Sequence, residues 1–236
     1  MFSVVANWKM NLSNSQAREY LDQFLPNLPS SSKIELIIAP PFTVIPYLTS
    51  LSQANHIKIA AQNVHWKDQG AFTGEISPLM LRDLSCTHVI VGHSERRQYF
   101  SESNEQVAAK AQAVLSAEML PIICIGEDLQ AYKESKTREV LLSQLSMVKK
   151  LHPVWIAYEP VWSIGSGQIP SFQEINAAIS TIKKELPQCR VLYGGSVNLQ
   201  NLSELIKVDQ NDGFLVGGLS LKPLEFSSFL HQLADS

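Results

Sequence analysis

Residues 154–195 read VWIAYEPVWSIGSGQIPSFQEINAAISTIKKELPQCRVLYGG. Two short apolar runs, VWIAYEP (154–160) and CRVLYGG (189–195), bracket a helical pattern. Near-continuous apolar runs suit strands buried on both faces, as in a parallel sheet. Between them, SFQEINAAISTIKKEL (171–186) opens with a capping box from Ser171 to Glu174, which marks a helix start. The stretch is one strand–helix–strand unit.

The unit recurs in both directions. SVVANW (3–8), IELIIAP (34–40), IKIAAQN (57–63), THVIVGH (87–93), PIICIGE (121–127) and GFLVGGLS (213–220) are runs of the same kind. They bring the total to eight, spaced by some 23 to 35 residues. Helical periods fill most gaps: NSQAREYLDQFL (14–25) sets Ala17, Tyr20, Leu21 and Phe24 on one face, and NEQVAAKAQAVLSA (104–117) and TREVLLSQLSMVKKL (137–151) follow the same rule. Strand and helix alternating without interruption give α/β. Eight units in 236 residues favour a closed (β/α)8 barrel over an open doubly wound sheet. No linker or low-complexity stretch appears, so residues 1–236 are expected to form one domain.

The bulk numbers agree. Hydrophobic residues are 45% of the chain and charged ones 17%, enough apolar surface for a sizeable core. A net charge of −3 argues against a nucleic-acid or anionic-membrane surface, so a bound anion must be held locally. Cys86, Cys124 and Cys189 lack metal-type spacing and sit in or beside apolar runs, which reads as free thiols in a reducing compartment. The apolar run at the N-terminus is too short for a signal peptide or membrane span, so the cytoplasm is expected.

Most strand runs end in polar residues or glycines: Asn7 and Lys9, Gln62 and Asn63, His93 to Glu95, Glu127, Glu159, Gly194 to Ser196, and Gly217 with Gly218. In a barrel of this type the C-terminal strand ends form the active-site face, so these residues should converge on one mouth. Glu159, among Tyr158, Pro160, Val161 and Trp162, reads as a base strengthened by loss of water, or as a carboxylate that caps or pairs. His93 precedes Ser-Glu, which resembles the first turn of a helix; a helix N-terminus disfavours positive charge on the ring and leaves a neutral imidazole able to donate. A lone histidine after an apolar strand is more often a satisfied core group. Lys9, two residues after Asn7, should share its face of the strand, as an oxyanion-stabilising cation or a solvated side chain. Glu95 either pairs with Lys9 or caps. Ile164-Gly165-Ser166-Gly167, Gly194-Gly195-Ser196 and Gly217-Gly218 can offer backbone N–H groups to a phosphate, although each alone could be an ordinary turn. Nucleotide loops and metal-ligand spacings are missing from the sequence, so cofactor-free chemistry is expected.

The stretches ANWKMN (6–11), AQNV (61–64), GAFTGEIS (70–77), VGHSERR (91–97), CIGE (124–127), AYEPVW (157–162), LYGGSV (192–197) and GFLVGGLSL (213–221) resemble the triosephosphate isomerase family, in its order and across nearly the whole chain. The resemblance implies a TIM barrel that interconverts dihydroxyacetone phosphate and glyceraldehyde 3-phosphate without a cofactor. It implies Glu159 as the base moving the proton between C1 and C2, and His93 as the neutral electrophile at the two oxygens. Lys9 would stabilise the enediolate with Asn7 beside it, while Ser94 and Glu95 complete the first turn and its ion pair. Gly165, Ser196, Gly217 and Gly218 would hold the phosphate, and residues 160–170 would be a lid. The long loop 62–77, carrying Trp66 and Phe72, would dock into a second subunit, with Thr73 reaching the partner's site. A homodimer follows from it.

The chain departs from the family pattern in four places. The segment between Glu134 and Val154 is about six residues short. Ala131 and Tyr132 replace a Glu-Arg pair, which removes a possible ion pair. Leu219 stands where a small residue follows the Gly-Gly, and its bulk bears on phosphate affinity. Pro170, at the far hinge of the lid, has no N–H for the hydrogen bond that Tyr193 makes to a small residue there in the closed state. A Schiff-base aldolase needs a lysine deep in the barrel. Lys58 lies at the start of its strand, the wrong end. A barrel that only binds phosphosugars would not need Asn7, Lys9, His93 and Glu159 together.

Overall fold

The computed structural model describes residues 1–52, 55–164 and 168–236. Eight strands run in chain order: β1 Phe2–Asn7, β2 Ile34–Ala39, β3 Lys58–Ala61, β4 His88–Val91, β5 Leu120–Ile125, β6 Trp155–Tyr158, β7 Arg190–Tyr193 and β8 Gly213–Val216. Each pairs in parallel with the next. The barrel closes where Ser3 to Ala6 of β1 pair with Gly213 to Val216 of β8. The helices are α1 Asn14–Phe24, α2 Ile45–Ser52, α3 Pro78–Asp83, α4 Ser94–Phe100, α5 Asn104–Ser116, α6 Leu129–Lys133, α7 Thr137–Ser146, α8 Phe172–Glu185, α9 Leu202–Leu205 and α10 Pro223–Ala234.

Strand alternation sorts the apolar residues into two layers. Val5, Ile37, Ala60, Ile90, Ile122, Cys124, Ala157, Leu192 and Leu215 fill the inside of the barrel. Val4, Ala6, Ile38, Ile59, Val89, Ile123, Ile156, Val191 and Val216 face outward and pack under the helices. Both faces are therefore dry, which is why the runs read as continuous apolar sequence. The same period of two sets Asn7 above Val5 and Glu159 above Ala157, on the inward side.

At the opposite, N-terminal end the barrel is floored by polar groups. Glu35 accepts from Ser3 Oγ at 2.8 Å, Lys58 Nζ at 2.6 Å and Arg190 Nη1 at 3.2 Å. His88 lies beside them with its ring 4.9 Å from that of Trp155. Lys58 is thus committed to the floor, far from the mouth.

Three expectations need adjustment. Several strands stop two to four residues before the apolar runs do, because the backbone must leave the ladder to turn at the mouth. The helix expected over 137–151 ends at Ser146. The chain then tightens, with Val148 N bonding to Leu145 O at 3.0 Å, so that Val148 stays buried while Met147, Lys149 and Lys150 face out. Lys9 is not in a strand with Asn7: β1 stops at Asn7, and Lys9 has a φ of 52° in the left-handed region. The two residues still line one cavity: Asn7 Oδ1 accepts from the Lys9 backbone N–H at 3.0 Å and folds the turn back on itself. The three cysteines are free and buried.

Candidate active site

The strand ends converge on a cavity of about 310 Å³ lined by Asn7, Lys9, His93, Glu159, Ser196, Gly217 and Gly218, with Ile164, Gly194, Gly195 and Leu219 among its walls. These residues come from five different strand ends.

Glu159 is 2% exposed. Its Oε1 lies 3.1 Å from His93 Nε2, and its Oε2 accepts from Ser94 N at 2.9 Å. Two donors thus fix the carboxylate. Space for the residue is made by two glycines. A Cβ on Gly126 would stand 1.7 Å from the Glu159 carbonyl oxygen, and one on Gly194 would stand 3.0 Å from Glu159 Cγ. Gly126 is in turn clasped by Gln144 of α7, which accepts from its N–H at 2.8 Å and donates to its carbonyl at 3.2 Å.

His93 is the N-cap of α4 and its Nδ1 accepts from Glu95 N at 3.3 Å. A nitrogen that accepts from an amide carries no proton, so the proton of the neutral ring is on Nε2, aimed at Glu159. Arg97 anchors the turn from below, donating to Gly92 O at 2.8 Å and to Cys124 O at 3.2 Å. Cys124 lies beside Glu159, and burial raises its thiol well above the ordinary range, which keeps it a thiol.

Lys9 Nζ pairs with Glu95 at 2.7 Å. Its Cε and Nζ also reach the edge of Gly217, 3.4 Å and 3.8 Å from where a Cβ would stand. Its left-handed turn is braced by Gln62, whose amide donates to Lys9 O and Ala39 O, both at 2.8 Å. Sequence reasoning named Gln62 only as a polar strand end, and it passed over Arg97, Gln144 and the bracing role of Glu127.

Glu127, 1% exposed, accepts from Trp162 Nε1 at 2.9 Å and from Tyr158 O–H at 3.3 Å. Burial raises its carboxyl above the usual value, against the pull of those donors. The proposed phosphate ligand Gly165 lies outside the described residues. Among the described residues, Tyr193 and Thr73 do not line the cavity. Tyr193 is fully buried in β7, its hydroxyl toward Ser163 and its acidity suppressed by burial. Leu219 lines the cavity and also packs against the core between barrel and helices, so part of its bulk is turned away from the mouth. Pro170 is buried immediately before the N-cap of α8.

In loop 62–77, Trp66 is only half-buried rather than exposed, because it stacks on His65 at 4.3 Å; Phe72 stays exposed, its ring 4.2 Å from that of the same histidine. Thr73 is exposed at the tip.

A buried carboxylate, a neutral imidazole donor and an ammonium around one small cavity define a proton-transfer enzyme built at the C-terminal mouth of a (β/α)8 barrel. A family model described as triosephosphate isomerase matches residues 2–233. The chain is 39% identical to the triosephosphate isomerase of Dictyoglomus turgidum, over 94% of this chain and 96% of that one. It is 40% identical to that of Citrifermentans bemidjiense, over 96% of each, and 40% identical to that of Prochlorococcus marinus, over 95% of each. The chain belongs to the triosephosphate isomerase family.

Proposed function

We propose that Glu159, His93, Lys9 and Asn7 divide the work of one reaction. That reaction is the interconversion of dihydroxyacetone phosphate and D-glyceraldehyde 3-phosphate, the step of glycolysis and gluconeogenesis that the family performs. Glu159 takes a proton from C1 of the ketose, and the electrons pass to the carbonyl oxygen at C2. His93 gives its Nε2 proton to the oxygen on C2 and takes the hydroxyl proton from the oxygen on C1, so the C1 carbonyl forms as the proton held by Glu159 is delivered to C2. Lys9 stabilises the enediolate charge and Asn7 holds the Lys9 turn. The contact that carries this reading is the pair made by Glu159 with His93, at 3.1 Å inside the cavity. A base and a neutral donor within hydrogen-bond distance of each other can serve adjacent substrate atoms.

Ser196, Gly217 and Gly218 are assigned the phosphate, together with Gly165. The segment 160–170 is assigned the lid, and Ile164 of that segment already lines the cavity. Closure would exclude water and strengthen each charge interaction inside. Residues 1–236 act as one domain in this reading. We also infer a homodimer through loop 62–77. Its support is a belt of exposed apolar side chains near that loop: Met10, Phe72, Leu79, Met80, Tyr99 and Phe100. These loops and helices touch one another through Lys9 with Glu95 and Gln62 with Lys9. No helix among the described residues is long and apolar enough to cross a membrane. We place the enzyme in the cytoplasm with its substrates; activity recovered in a membrane or extracellular fraction would overturn that placement.

The test is a coupled isomerase assay on the purified chain beside Glu159→Gln. The variant should lose on the order of 10³-fold in kcat. Equal turnover in the two proteins removes Glu159 from the mechanism.

A further inference from the structure

Outside the barrel wall, Tyr132 makes two contacts that no step above uses. Its ring stacks on Trp162 with centroids 4.0 Å apart and planes at 22°. Its hydroxyl donates to Glu174 Oε1 at 2.9 Å. Trp162 and Glu174 sit at the two ends of one segment. Trp162 lies three residues after Glu159, and Glu174 is the capping-box residue of α8, its Oε2 accepting from Ser171 N and Ser171 Oγ, both at 2.7 Å. The other face of the arrangement borders a cavity of about 550 Å³ lined by Tyr132, Trp162, Pro170, Glu174 and Arg138. Among the described residues only Tyr132 stacks on Trp162, and it is carried on the short helix α6, itself capped by Asp128 Oδ1 accepting from Ala131 N at 2.8 Å.

Resting on the isomerase reading, we propose that Tyr132 is a positioning residue for Glu159, acting through Trp162 and tying the start of the 160–170 segment and the helix that follows it to one side chain. Tyr158 and Trp162 flank Glu159 in sequence, and both donate to Glu127. Glu127 also holds Val161 N through its carbonyl at 3.0 Å. The base therefore hangs between two anchors on Glu127, and the Trp162 anchor keeps its orientation because Tyr132 covers one face of the indole. The Glu174 bond stops the tyrosine from swinging away. The Glu-Arg pair of the family pattern, which this chain lacks at 131 and 132, is thus replaced by a different link, an aromatic stack with a hydrogen bond to the next helix.

The chemistry gives a readout that a merely structural contact would not move. An enediolate that waits for its proton expels phosphate: the oxygen's electron pair moves in and the C3–O bond breaks, leaving an enol that becomes methylglyoxal. A mispositioned Glu159 returns the proton more slowly, so more intermediate is lost by that route. Steady-state kcat and KM, and inorganic phosphate released per isomerisation, are measured for wild type, Tyr132→Phe and Tyr132→Ala. Tyr132→Ala should lower kcat roughly threefold to tenfold, with a smaller change in KM, and raise the phosphate released per turnover severalfold. Tyr132→Phe keeps the stack and should fall in between. If Tyr132→Ala does not fold, Tyr132→Leu, which fills the space without a ring face, takes its place. A lower melting temperature with kcat, KM and phosphate release all at wild-type values overturns the proposal. A wild type without isomerase activity overturns the functional reading on which it rests.

Discussion

At the scale of single residues, the polarity of each hydrogen bond matters more than its length. Both partners of the Glu159 carboxylate, His93 Nε2 and Ser94 N, are donors. A glutamine there must turn its own N–H groups toward one of them, so Glu159→Gln removes the proposed base and also sets donor against donor in a dry site. The expected loss of about 10³-fold in kcat therefore comes with a measurable loss of stability in urea, and an unchanged melt would show that the two donors are not clamping the carboxylate. Lys9 shows the reverse relation between residue and backbone. Its φ of 52° is costly for a side chain with a Cβ, and the turn persists because Asn7 and Gln62 hold both its N–H and its carbonyl. Position and chemistry are fixed by different neighbours.

At the scale of elements, α8 and the segment before it are coupled through the helix start. Ser171 and Glu174 form a full capping box, and Glu174 also receives Tyr132. Ser171→Ala should cost about 1 kcal/mol, seen as a lower urea midpoint at unchanged slope, because Glu174 N loses its acceptor. A midpoint equal to wild type would mean that the remaining bond from Ser171 N to Glu174 suffices. The α7 end illustrates where the periodic pattern misleads. Val148 and Leu151 continue the apolar spacing beyond Ser146, but tightened turns rather than another helical turn bury Val148 and half-bury Leu151. Despite its early end, α7 still delivers Gln144 to Gly126, and so supports the backbone of Glu159 from outside the barrel.

At the scale of the whole molecule, the two ends of the barrel carry separate jobs. The mouth gathers Asn7, Lys9, His93 and Glu159 around one cavity, and the floor ties strands together through Glu35. Buried His88 is pushed down to about 4 by burial first and by Lys58 second, with Glu35 opposing. Its ordinary value is 6.5, so the unfolded chain binds a proton that the folded one refuses between those two values. Stability is intact above 6.5 and is progressively lost as pH falls from there toward 4, by roughly 3 kcal/mol in all. Urea titrations across that window should show a steeper acid limb for wild type than for His88→Gln; parallel limbs would exclude the histidine as the cause. The second whole-molecule expectation is the dimer. Sedimentation at micromolar concentration should give twice the chain mass of 26.3 kDa, and a single-chain mass would remove the interface.

The sequence by itself determined the barrel and the identity of the polar groups at its mouth. Dry strands must be apolar on both faces, so their number is visible as eight runs, and a polar residue at a strand end has nowhere to go but the mouth. It did not determine how those groups meet. That Asn7 and Lys9 face the same cavity across a left-handed turn, that His93 turns Nε2 toward Glu159, and that Tyr132 replaces an ion pair with a stack on Trp162 all depend on contacts between strand ends and helices far apart in the chain. Local periodicity carries no information on such contacts. Only closing the barrel sets β1 against β8, and with it brings Lys9 beside Gly217.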